Sequence, residues 1–226
     1  MNRFNASKLS ELEKNKNSYP TGIISEPTDS IKLGNRFNLI MKQIGLGLPV
    51  EPFLIQYPQI AEWVKFANPF LQLPGTKQWD AELQCFYKKQ LLEANYDLII
   101  YQDNQVIGID WTIQNSANFR YLENSFLTQL RLFLLQNRTH LAHEQVNLVY
   151  LYVNKPDIYQ FTYSRNQHLA FKERLESILA QFAEEEVQED VQHKDEQVNL
   201  EMLHQKWLKG EITVKDYFDA IPEVEL

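Results

Sequence analysis

The chain has 226 residues, 44% of them hydrophobic, and a formal net charge of −8. Its one cysteine, Cys85, rules out an intrachain disulfide framework, and no run of about 18 uncharged apolar residues offers a membrane span, so a soluble cytoplasmic protein is expected. The acidity is concentrated late: residues 184–226 carry 13 acidic and 4 basic side chains, whereas the first 183 carry 17 and 18, a nearly neutral body that neither advertises nucleic acid nor excludes a local basic groove.

Taken in chain order, Ser7 can cap a short helix over 8–14 with Leu9 and Leu12 on one face. A loop follows over 15–30, broken by Pro20 and Pro27. Leu33, Phe37, Ile40, Met41 and Ile44 recur at steps of three and four and predict a helix over 31–47, closed by Gly45 and Gly47. Pro49 and Pro52 open an extended piece, and 60–71 reads as an apolar-aromatic helix interrupted near Pro69. Residues 81–93 alternate loosely as one long strand. Residues 96–102 and 106–113 pair as a hairpin around Asp103-Asn104. The stripe Phe119, Leu122, Phe126, Leu130, Phe133 and Leu134 predicts one helix over 117–136. Residues 145–154 form a near-continuous apolar strand, expected to be central, and 158–163 pair with it. Residues 166–183 repeat a helical pattern. The organisation expected is a body over 1–183, an acidic linker over 184–196 and a short helical C-terminal appendage over 197–226, with helices around Gly210 that carry Trp207, Tyr217 and Phe218.

Three acidic residues stand out in the strand region. Asp97 and Asp110 each interrupt an apolar run, and Glu82 lies on the strand before them. Carboxylates at the edge of an apolar sheet are costly unless a cation, a partner or water uses their charge. Taken singly, Glu82 also fits a solvated strand-edge residue. Asn38 fits a satisfied polar residue on its helix, and Cys85 a small buried one. The five histidines show no ligand spacing and read as surface, and Phe119, Phe126 and Phe133 read as core.

The order helix, three strands, helix, strand, with acids at these positions, resembles the PD-(D/E)XK nucleases. Within them the chain is similar to the RecB-like exonuclease branch, in a compact form of cyanobacterial type. Gly34-Asn35-Arg36-Phe37-Asn38 resembles that branch's Gly-x-x-x-His helix, and Gly45-Leu46-Gly47-Leu48-Pro49 follows as it does there. Tyr96-Asp97-Leu98-Ile99 resembles the metal-binding Asp strand, and Ile109-Asp110-Trp111-Thr112 resembles a Leu-Asp-Trp-Lys pattern. The likeness covers roughly 1–185. It implies an α/β fold with a mixed central sheet flanked by helices. It also implies Mg²⁺ or Mn²⁺ held by Glu82, Asp97 and Asp110, and DNA as a partner. The departures are specific: Thr112 stands at the lysine position, Asn38 at the histidine, and Leu127 and Arg131 near the positions of a Gln and a Tyr. Lys88 and Lys89, on the Glu82 strand, are candidates to replace the missing lysine.

Two functions follow as expectations. One is metal-dependent hydrolysis of DNA, or a catalytically impaired relic of it, with Asp97, Asp110, Glu82 and Thr112 at the catalytic positions. The other is a non-catalytic module that binds nucleic acid, or a protein through the appendage.

Overall fold

The computed structural model describes residues 2–14, 29–115 and 118–208. The chain divides into two units, Met1–Leu175 and Glu176–Leu226. In the first, β1 (Arg3–Phe4) and α1 (Ala6–Lys14) precede α2 (Asp29–Gly45), α3 (Glu51–Gln56) and α4 (Pro58–Leu71). Then come β2 (Thr76–Tyr87), β3 (Gln90–Tyr101), β4 (Val106–Thr112), α5 (Phe119–Glu123), α6 (Phe126–Thr139), β5 (Val146–Tyr152) and β6 (Asp157–Thr162). A final helix, α7 (Arg165–Leu208), begins in the first unit and supplies the described part of the second. Among the described residues, no helix is long and apolar enough to cross a membrane.

The protein is α/β, with a mixed six-stranded sheet flanked by helices. The strand order is β1-β3-β4-β5-β6, and β2 pairs with the other edge of β3. Neighbours β2/β3, β3/β4 and β5/β6 are antiparallel. β4 and β5 are parallel, as the helical crossover between them requires. One face is covered by α2 and α4, where Phe37, Ile60 and Trp63 pack with Leu98, Ile109, Trp111 and Leu151. The other carries α6. There Gly108 keeps the sheet open to it: a Cβ at 108 would lie 2.9 Å from Leu135 and 3.0 Å from Tyr96.

Several boundaries differ from the sequence expectation, each for a local reason. The long strand expected over 81–93 is broken at Lys88-Lys89, which form a two-residue hairpin turn between the paired Tyr87 and Gln90. Both lysines have positive φ, 46° and 69°, the handedness that matches the twist of the flanking strands. Without a glycine or asparagine this turn has no strong sequence signal. Asn5, not Ser7, caps α1, its side chain accepting from the Lys8 amide at 3.0 Å. The extended piece expected at Pro52 is α3, because proline is accommodated in a helix's first turn. The single helix expected over 117–136 is split, since Ser125 starts α6 by accepting from the Thr128 amide. Phe119 consequently leaves the core stripe, 44% exposed and stacked on Phe161. The segment 184–196, expected as a solvated helix end or linker, is helical: no Gly or Pro occurs between Arg165 and Leu208, and Glu, Gln and Lys are good helix formers. Of the two short helices expected around Gly210, the first, through Trp207 and Leu208, falls within α7, and the second lies outside the described residues from 209 onward.

The turn generates a prediction. A side chain held in the left-handed region costs roughly 1 kcal/mol that glycine avoids. Lys89→Gly should therefore raise the urea midpoint, by about 0.5–1 kcal/mol of stability; an unchanged or lower midpoint would count against the turn geometry.

Candidate functional site

β3 has two partners along one edge. β4 pairs with it at Leu98–Tyr101, and β1 at Leu91–Leu92. Between them, residues 93–97 on that edge carry no strand partner among the described residues. The face alternation of β3 also breaks here. Leu98 belongs to the α2/α4 cluster, whereas Tyr96, two residues earlier, reaches the opposite helix and donates its hydroxyl to the Arg131 carbonyl at 2.6 Å. On β2, Asp80 lies between the pairs Trp79↔Leu98 and Ala81↔Tyr96, and its φ is 48°. The irregularity thus crosses two strands at the level of Asp97.

Polar side chains fill the break. Asp97 Oδ2 accepts from the Trp111 amide at 2.8 Å, in place of a ladder bond. Asp110 continues β4 on the α6 face and accepts from Arg131 Nη2 at 2.8 Å. Arg131 Nε donates to the Asn95 carbonyl at 2.9 Å, and Nη1 to the Tyr150 hydroxyl at 3.3 Å. The guanidinium lies 5.7 and 5.6 Å from the Tyr96 and Tyr150 ring centres, within cation–π range. Thr128 and Tyr150 share a further hydroxyl contact of 3.1 Å. Arg131, at 7% exposure, is a buried cation braced against β3, β4 and β5 at once.

The electrostatics follow from burial. Desolvation, and then the neighbouring Asp110, push the Asp97 carboxyl up to about 8, against the opposing pull of the Trp111 amide and Arg131. At neutral pH Asp97 therefore favours its protonated form. Burial opposes the charge on Arg131, but Asp110 and Tyr150 outweigh it, and the guanidinium stays protonated. Desolvation raises Tyr150 as well.

Asp110 opens onto a cleft of about 730 Å³. Its other walls include Thr112, Tyr150 and Tyr152 from the sheet, Ser7 and Ser10 from α1, and Tyr121 from α5. Thr112 shares the α6 face with Asp110, as residues two apart on a strand should, and its hydroxyl accepts from the Gln114 amide at 3.2 Å.

Of the expected site residues, Asp97 and Asp110 come together, and Asp110 and Thr112, but not Asp97, line the cleft. Glu82 pairs across from Asn95, is exposed and accepts from Gln84. Among the described residues, no group of three or more His, Cys, Asp or Glu side chains converges to hold a metal ion. The residues present do not fit a divalent cation, because a guanidinium already neutralises Asp110 and Asp97 favours its protonated form. Lys88 and Lys89 are exposed in a turn, the nearer of them eight residues from Asp97, about 26 Å along the strand, so neither replaces the lysine. Asn38 accepts from Trp111 Nε1 at 3.1 Å, which ties it to the ring rather than to the acids. The five histidines were expected at the surface, yet His143 and His168 are half-buried around Tyr163. Sequence reasoning placed Arg131 near a family Gln or Tyr position but gave it no role. One signal was available: it is the charged member of the otherwise apolar run Leu130 to Leu135.

No protein-family model matches the chain, and no curated protein matches it. Among solved structures, one named "Putative exonuclease" from Eubacterium rectale is 10% identical at a TM-score of 0.39, covering 68% of this chain and 65% of its own. Another, SSO0001, is 13% identical at 0.34, covering 79% and 76%. The chain spans about 65% of the length of the first. Both scores lie below the level at which a common fold follows.

The Asp97 carboxyl sets a pH dependence. Its folded value is raised above the unfolded one, so its contribution to stability is complete below about pH 4 and is lost as pH rises through about 8. Asp97→Asn keeps the shape and the acceptor for the Trp111 amide but cannot ionise. Urea midpoints between pH 4 and 9 should fall less steeply in Asp97→Asn than in wild type, with the variant the more stable at pH 8. Parallel profiles would show that Asp97 ionises normally.

Proposed function

We propose that this chain is a nuclease-like α/β protein whose hydrolytic centre is silent. Support comes from the order of helix, three strands, helix and parallel strand, and from two acids placed where β3 and β4 part. The observation that carries the reading is the 2.8 Å ion pair between Arg131 and Asp110. Phosphodiester hydrolysis needs positive charge free to meet charge that develops in the transition state, and one missing contact of that kind costs a factor of about 10²–10³ in rate. Here the nearest cation is spent on Asp110, and position 112 offers a hydroxyl engaged with the backbone. Linear single- and double-stranded DNA incubated with Mg²⁺ or Mn²⁺ should yield no products above the level of Asp110→Ala. Thr112→Lys alone should also stay silent, because Arg131 remains in place. Wild-type cleavage that disappears in Asp110→Ala would reverse this conclusion.

The alternative function, a non-catalytic binding module, draws on the cleft. Tyr121 is 73% exposed on its wall, and Lys14 stands at its α1 side. An exposed aromatic ring beside a cation suits a single strand, since base stacking contributes about 1–3 kcal/mol per base. Fluorescence anisotropy with a labelled single-stranded oligonucleotide should then show binding that Tyr121→Ala weakens roughly tenfold. Equal affinity in the two proteins would place any binding elsewhere.

A further inference from the structure

We propose that His143 and His168 form a proton-sensitive latch, which holds the first turns of α7 against α6 while both rings are neutral and releases them on acidification. The two residues come from different elements. His143 opens the single 3₁₀ turn His143–Gln145 before β5, and His168 lies in the first turn of α7. Their rings meet edge to face, with centres 4.7 Å apart. Tyr163, just past β6, is 5.7 Å from each ring, and its hydroxyl shares a hydrogen bond of 3.2 Å with His168 Nδ1. Phe133 of α6 stacks on His168 at 5.4 Å. His143 Nε2 is shielded from water and has no hydrogen-bond partner among the described residues. An imidazolium carries an N–H on both nitrogens, and a buried donor without an acceptor is costly.

The groups around the pair oppose its charge. Against the pull of the Phe133 ring face on a cation stand burial, His143 and then Lys172, one turn further along α7, which together hold His168 below its ordinary 6.5. Burial keeps Tyr163 neutral, and Tyr87 of β2 meets the other side of Phe133 as a second phenol. Glu144 is exposed beside His143, Arg165 is exposed at the helix start, and Glu123 of α5 accepts from Gln167. The folded value of His168 lies below the unfolded one, so its contribution to stability is complete above about pH 6.5 and is lost as pH falls through the lowered value. The helix turns so held bury Phe171, 5.4 Å from Phe133 and 6.1 Å from Phe126, and Leu175. Their other polar tie, Arg174 to Glu13 at 2.5 Å, does not change in mild acid, because the arginine hydrogen bond holds the Glu13 carboxyl below its ordinary 4.5.

The test compares full-length wild type, His143→Gln, His168→Gln and the double variant. Imidazole proton resonances are titrated by NMR. Amide exchange at pH 7.5 and 5.5, corrected for its intrinsic pH dependence, is followed by mass spectrometry over 165–175, with β5 as reference. In wild type the His168 resonance should titrate below pH 6.5, and its midpoint should rise in His143→Gln, which removes the facing charge. At pH 5.5 the wild-type segment 165–175 should exchange several-fold faster than at pH 7.5 while β5 is unchanged. Each single variant should show a smaller change, and the double variant should exchange equally at both. The proposal is overturned if His168 titrates at or above pH 6.5 or ignores His143→Gln, or if 165–175 keeps its full protection in acid. It is also overturned if the double variant loses protection as wild type does, or if β5 opens in parallel, which would make the transition global. The His168 titration is read in wild type, so a variant that folds poorly does not remove the test.

Discussion

The arrangement of this protein turns on one problem: β3 leaves β4 at Asp97 and does not meet β1 until Leu92. A stretch of strand edge inside a folded unit must find hydrogen-bond partners elsewhere, because buried peptide groups left unpaired are expensive. Two side chains resolve it. Asp97 takes the Trp111 amide, and Arg131 takes the Asn95 carbonyl. Both solutions bring charge into a half-buried place, and each depends on the other. The arginine offsets Asp110, and the proton on Asp97 prevents two negative charges from facing each other.

This balance explains why the same residues serve stability and limit chemistry. A buried pair is weak evidence of net stabilisation, but removal of one partner typically costs about 3–5 kcal/mol because the other charge is stranded. Asp110 is consequently committed to Arg131 and is a poor ligand for anything else. The two tyrosines that flank the guanidinium deepen the commitment by combining ring faces with a hydroxyl acceptor. In the proposed reading, the centre is silent because of how the sheet is closed, and not only because of the residue found at position 112.

The two faces of the sheet contribute differently. The α2/α4 side is an aromatic-aliphatic core in which Phe37, Trp63 and Trp111 meet edge to face. The α6 side combines close packing at Gly108 with the polar network one pleat further along β4. Trp111 links them: its ring lies in the apolar core and bonds to Asn38, while its amide anchors Asp97. Asn38, exposed on α2, accepts from the edge of that ring.

Much of this was legible in the sequence, because periodicity and local turn chemistry act over a few residues. The apolar steps through Phe37, Ile40 and Met41, the strands through Asp97 and Asp110, and the shared face of Asp110 and Thr112 all follow from spacing alone. Other features could not be read that way. The Lys88-Lys89 turn takes its left-handed backbone from the strands that flank it, so nothing in the residue types announces it. Glu82 appeared as a third ligand because it precedes the hairpin, but register places it opposite Asn95 and not beside Asp97. Arg131 lies 34 residues from Asp97 and 21 from Asp110 in the chain. Whether it faced water or the acids depended on how α6 packs over the break in the sheet. Local chemistry determined the elements and the acids, and tertiary packing decided which cation meets them, since a charge pair across separate elements exists only once those elements are docked.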